Sequence, residues 1–95
     1  MKSLHLLITG RVQGVGFRDW LEQEARQRRL AGWVRNLGRD TVEAVISGPG
    51  AAVDECVQAC WQGPPLAAVR NVSITETTKP AAPGFLRRSS VASQY

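Results

Sequence analysis

A chain of 95 residues has room for one domain and not two, and 43% hydrophobic against 21% charged residues is a globular composition that excludes disordered and fibrous classes. The formal net charge of +4 is carried almost wholly by arginine, since Lys2 and Lys79 are the only lysines; arginine suits bidentate contact with phosphate or carboxylate. The apolar run from Leu4 to Ile8, cut off by Thr9-Gly10-Arg11, is too short for a membrane span or a secretory leader.

In chain order, residues 4–9 are predicted to form a strand, with Leu4, Leu6 and Ile8 alternating with His5 and Thr9. A glycine-rich loop, Gly10 to Gly16, leads into a helix over about 17–30, where Phe17, Trp20, Leu21 and Ala25 make one apolar stripe. Gly32 is expected to stop that helix. Strands over about 32–37 and 41–47 join at Gly38-Arg39-Asp40. A second helix over about 51–62 sets Val53, Cys56, Val57, Cys60 and Trp61 on one face, and Gly63-Pro64-Pro65 ends it. A strand over about 68–76, a Pro/Gly loop from Lys79 to Gly84 and a short strand over Phe85 to Arg88 complete the domain, 1–88. Residues 89–95 read as a polar, flexible tail.

Cys56 and Cys60, four apart on a helix, stand about 5–6 Å apart at Cβ, against the roughly 3.5–4.5 Å a disulfide needs. They are read as core-facing thiols of a protein in a reducing cytoplasm. His5 is the sole histidine, so a zinc site lacks ligands and no metal is expected.

The order βαββαβ with a short fifth strand is the split βαβ, ferredoxin-like pattern: an α+β fold with an antiparallel sheet and two helices packed on one face. That fold hosts unrelated functions, so function must be read from a site.

The informative stretch is Ile8-Thr9-Gly10-Arg11-Val12-Gln13-Gly14-Val15-Gly16-Phe17-Arg18. A strand ends in glycines and a helix starts at once. Backbone N–H groups at a helix start lack partners and present positive potential, and glycine lets such a backbone wrap an anion closely. Arg18, in the first helical turn, is placed to add two parallel hydrogen bonds to phosphate oxygens. Known phosphate loops fit badly: no Gly-Lys-Ser/Thr follows, and no G-x-G-x-x-G is complete. On these residues alone, a glycine-rich turn beside a surface arginine is an equal reading.

Gly10-x-Val12-Gln13-Gly14-Val15-x-Phe17-Arg18 resembles the signature of the acylphosphatase family at every position, and Gly32-Trp33-Val34-Arg35-Asn36 resembles its second segment. The likeness runs on through Val42, Glu43 and Gly48 and covers Leu4 to about Arg88. It implies hydrolysis of the carboxyl-phosphate bond of acyl phosphates, without metal or cofactor. Arg18 matches the arginine that binds phosphate together with backbone N–H groups of Gln13, Gly14, Val15, Gly16 and Phe17. Asn36 matches the asparagine that positions the attacking water. One position departs: the family carries glycine four residues after that asparagine, where this chain has Asp40, with a glycine at Gly38 instead. A shifted turn is expected to keep the hairpin.

The implied leaving group is a carboxylate, whose conjugate acid has a pKa of about 4, so it needs no general acid. No motif side chain is an evident general base. His5 lies outside both segments and reads as a strand surface residue, leaving the substrate phosphate to take the proton. The expected partner is a small anionic acyl phosphate, with neither nucleic acid nor membrane, and the expected state a free-standing cytoplasmic monomer. The rival reading is a non-catalytic phosphate- or RNA-binding ferredoxin-like module. An RNA binder would want aromatics on its central strands, and residues 4–9 and 41–47 contain none. The acids are scattered along the chain. Hydrolysis of an acyl phosphate is therefore expected to continue undiminished in excess EDTA, and its abolition there would overturn the metal-free reading.

Overall fold

The computed structural model describes residues 1–78 and 82–92. Its elements in order are β1 (Lys2–Arg11), α1 (Phe17–Gln27), β2 (Ala31–Leu37), β3 (Thr41–Gly48), α2 (Gly50–Cys60), β4 (Ala68–Glu76) and β5 (Phe85–Arg87). Residues 79–81 of the expected Pro/Gly loop and 93–95 of the expected tail lie outside the described residues.

The sheet order is β4-β1-β3-β2-β5. β1 pairs antiparallel with both β3 and β4, and β2 pairs antiparallel with β3. This is the ferredoxin-like arrangement that the element order predicts. The expectation of a wholly antiparallel sheet needs one correction, because β5 runs parallel to β2. After β4 the chain reverses and crosses to the opposite edge, where β2 already points the same way.

Alternation along the strands sends one set of side chains under the helices. Leu6, Ile8, Val34, Val42, Ala44 and Ile46 from the sheet are fully buried, in one cluster with Phe17, Leu21 and Ala25 of α1 and Val53, Cys56 and Cys60 of α2. Both cysteines are free thiols inside this core.

α1 does not end at Gly32. Its last turn closes at Arg29, which takes the left-handed conformation at φ 56. Leu30 N–H reaches back to Ala25 O at 2.9 Å, and Arg29 N–H to Arg26 O at 3.0 Å. This is the Schellman end, with Leu30 as its buried apolar anchor. Gly32 instead lies inside β2, where a Cβ would stand 1.8 Å from Val45 O. Close approach of two strands, and not helix termination, demands glycine there.

The helix-free face carries a polar row across three strands. His5 Nε2 lies 2.7 Å from Glu43 Oε2, and Arg35 Nε donates to Glu43 Oε1 at 2.6 Å. Burial pushes the Glu43 carboxyl up, but the bonds from His5 and Arg35 outweigh it, and the pKa falls below the ordinary 4.5. A depressed carboxylate stabilises the fold fully above its unfolded value, and that contribution is lost as the pH falls through the lower folded value. Urea unfolding midpoints are thus expected to decline below about pH 4.5 in the wild type and to decline less steeply in Glu43→Gln. Parallel acid limbs for the two proteins would show that the row contributes nothing through this carboxylate.

Candidate active site

The site begins where β1 runs out. Val12, 1% exposed, anchors the chain in the core. Beyond it Gly14 and Gly16 adopt left-handed φ values of 74° and 79°. Nothing lies within 4 Å of where their Cβ atoms would be, so it is backbone conformation, not space, that calls for glycine. Gly16 is the N-cap of α1, and no side chain caps the helix. The first helical bond runs from Trp20 N–H to Gly16 O at 3.0 Å. The N–H groups of Phe17, Arg18 and Asp19 precede it and have no acceptor within the helix. Phe17, 1% exposed, roots this end of α1 in the core.

These groups border a cavity of about 100 Å³ lined by Val12, Gln13, Gly14, Gly16, Phe17, Arg18, Asp19, Asn36 and Arg87. Asn36 joins it because it has the parity of Val34, which faces the helices. His5 has the opposite parity to buried Leu4 and Leu6 and lies on the other face of the sheet. A hollow of about 590 Å³ beside Lys2, Asp54 and Glu76 is larger but holds no part of the loop.

The loop is tied to the β2–β3 hairpin by one side chain. Gln13 Nε2 donates to Gly38 O at 3.1 Å and to Thr41 O at 2.8 Å. Gly10 N–H adds a bond to Asp40 O at 3.1 Å. In the hairpin itself Gly38 takes the left-handed conformation at φ 64. Asp40 uses its carboxylate as an acceptor for the Thr41 hydroxyl at 3.1 Å and the Arg70 guanidinium at 3.3 Å. Gly38 supplies the left-handed residue of this turn, and Asn36 lines the cavity. Val91 lies alongside, its N–H donating to Asn36 O at 3.1 Å and its carbonyl accepting from Gly38 N–H at 2.9 Å.

The acylphosphatase family model matches residues 4–86, which is most of the chain. The chain belongs to the acylphosphatase family. An acylphosphatase of Acidiphilium cryptum is 51% identical over 89 residues, 94% of this chain and 98% of that protein. One of Rhodospirillum rubrum is 45% identical over 91 residues, covering 96% and 100%. Among solved structures, an acylphosphatase from Coxiella burnetii superposes with a TM-score of 0.88 at 36% identity, covering 92% of each chain. These likenesses bear out the family resemblance and the ferredoxin-like fold.

Six of the seven residues singled out from sequence, Gln13, Gly14, Gly16, Phe17, Arg18 and Asn36, line the one cavity. Val15 is instead partly buried against the core. Sequence reasoning missed Asp19 and Arg87, which line the cavity too and are paired through Arg87 Nη1 and Asp19 Oδ1. Alternation from buried Phe85 puts Arg87 on the inner face, but only the docking of β5 beside β2 brings it here. It also missed the Gln13 side chain, whose acceptors lie 25 and 28 residues away.

Of the other arginines, Arg35 is committed to Glu43. Arg28 is half-buried between Glu24 and Glu55. Among the described residues no helix is long and apolar enough to cross a membrane, and no three His, Cys, Asp or Glu side chains are grouped to hold a metal ion. Gln13→Met keeps length and removes the donor, stranding two part-buried carbonyls. It is expected to cost about 1–3 kcal/mol in urea unfolding. Unchanged stability would mean the loop and hairpin hold together without that side chain.

Proposed function

We propose that the cavity at the start of α1 performs the family's reaction on this chain: acyl phosphate and water give a carboxylate and inorganic phosphate. The observation that carries this reading is the uncapped helix N-terminus opening onto a cavity shared by Arg18 and Asn36. The phosphoryl group sits in the loop. Backbone N–H groups of Gln13 to Phe17 and the Arg18 guanidinium hold its oxygens. Asn36, on the adjoining strand, accepts a hydrogen bond from water through Oδ1 and holds it in line with phosphorus.

In the step itself a water oxygen bonds to phosphorus while the bond from phosphorus to the bridging oxygen breaks. Its electron pair passes to the carboxyl group, which leaves as a carboxylate without needing a proton. Such transfer asks chiefly for positioning and for charge stabilisation by groups already in place. The water's proton goes to a phosphate oxygen. His5 lies across the sheet and is hydrogen-bonded to Glu43, which supports a mechanism without it. The substrate is a small acyl phosphate, and the protein acts as a monomer without nucleic acid. Two buried free thiols are compatible with a reducing cytoplasm, which we propose as its compartment.

The test is hydrolysis of benzoyl phosphate, with inorganic phosphate as inhibitor. Arg18→Ala is expected to lower kcat/KM by about 10³-fold or more and to weaken inhibition by phosphate. Asn36→Ala is expected to lower kcat by at least about 10²-fold and to leave phosphate inhibition in place. Folded variants that keep wild-type turnover would remove both roles. A folded wild type that binds phosphate without turnover would leave a phosphate-binding module.

A further inference from the structure

The loop, Arg18 and Asn36 line the cavity, and its other charged lining residues are Asp19 and Arg87. With the phosphoryl group held by the loop and Arg18, the acyl part of the substrate extends toward the open side of the cavity, at the rim formed by Asp19 and Arg87. Their side chains are 64% and 39% exposed, yet both line the cavity and are bonded to each other. Arg87 sits on β5 abreast of Val34, two residues before Asn36 on the neighbouring strand. Asp19 follows Arg18 in the first turn of α1.

The chemistry of this pair matches the acyl end of the substrate. The two carboxyl oxygens of an acyl phosphate accept hydrogen bonds, and they gain charge as the bond to phosphorus breaks. A guanidinium has five N–H donors, and one bond to Asp19 leaves others for a second acceptor. Asp19 offsets the positive charge, so the rim presents donors without attracting anions in general.

We propose that the Arg87–Asp19 pair is the acyl-side subsite of the enzyme. Arg87 donates to the carboxyl oxygens of the acyl phosphate, and Asp19 sets a preference against acyl groups bearing a second carboxylate. This rests on the reading that the loop and Arg18 hold the phosphoryl group.

The test uses benzoyl phosphate, succinyl phosphate as the carboxylate-bearing probe, and inorganic phosphate as an inhibitor that lacks an acyl part. Arg87→Gln is expected to lower kcat/KM for benzoyl phosphate about tenfold, the worth of one hydrogen bond to a charged group, while phosphate inhibition moves by less than about twofold. Asp19→Asn is expected to raise kcat/KM for succinyl relative to benzoyl phosphate by about fivefold, the scale of one partly screened charge. Phosphate inhibition that weakens as much as turnover in Arg87→Gln would make Arg87 a phosphate ligand and overturn the subsite. Unchanged kinetics in a folded Arg87→Gln protein would make the pair structural only. An unchanged succinyl-to-benzoyl ratio in Asp19→Asn would overturn the charge preference. Arg87→Lys, which keeps the charge without the fork, gives the same comparison if the glutamine variant does not fold. Undiminished phosphate inhibition in Arg18→Ala would instead overturn the placement of phosphate in the loop, so the two failures are separable.

Discussion

A helix must leave its first N–H groups without partners, and in this chain they are turned toward a small cavity and left uncapped. Gly16 occupies the N-cap in a conformation that other residues adopt only at a cost, and it offers no side chain to fold back over those donors. A site of partial positive charge follows from that omission alone. The surrounding fold serves to hold this helix end still. Val12 and Phe17 pin the loop at both sides, and Leu21 and Ala25 fix the helix against the sheet.

The second half of the site depends on strand register. Asn36 reaches the cavity because it shares a face with Val34, and a one-residue slip of β2 would turn it to the opposite side. That register is secured from several directions. β2 is paired along its length with β3, and Gly32 permits an approach that any Cβ would block. Gln13 then joins the two halves, bonding loop to hairpin through two carbonyls. The glycine-rich loop and the strand that carries Asn36 are therefore one mechanical unit, although they come from separate segments of the chain.

The two faces of the sheet divide the charged residues by role. On the helix-free face Glu43 takes up His5 and Arg35, and the guanidiniums of Arg35 and Arg88 stand over the Trp33 ring at 5.0 and 4.5 Å from its centre. These cations are committed to local partners. On the helix side Arg18 and Arg87 share a cavity with a helix N-terminus. A net charge of +4 describes neither arrangement, because what matters to an anion is which guanidiniums remain directed at the place where it can sit.

Periodicity in the chain was enough to place both helices and the first four strands, because alternating and helical apolar patterns are local properties that a packed core enforces, whereas the three residues of β5 are too few to show a pattern. The two glycine-bearing motifs are also local, and through their resemblance to the family they single out Arg18, Asn36 and most of the loop, which the structure brings to one cavity. The end of α1 was misread because a left-handed Arg29 has no compositional mark, while Gly32 looked like a stop and proved to be a contact between strands. Non-local geometry lay beyond the sequence. The parallel docking of β5, the bonds from Gln13 to Gly38 and Thr41, and the arrival of Arg87 beside Asp19 all join residues that are distant in the chain. Such pairings are set by the shared core and by the direction in which the chain crosses the sheet. Neither leaves a period or a spacing to be read, and only the tertiary structure decides them.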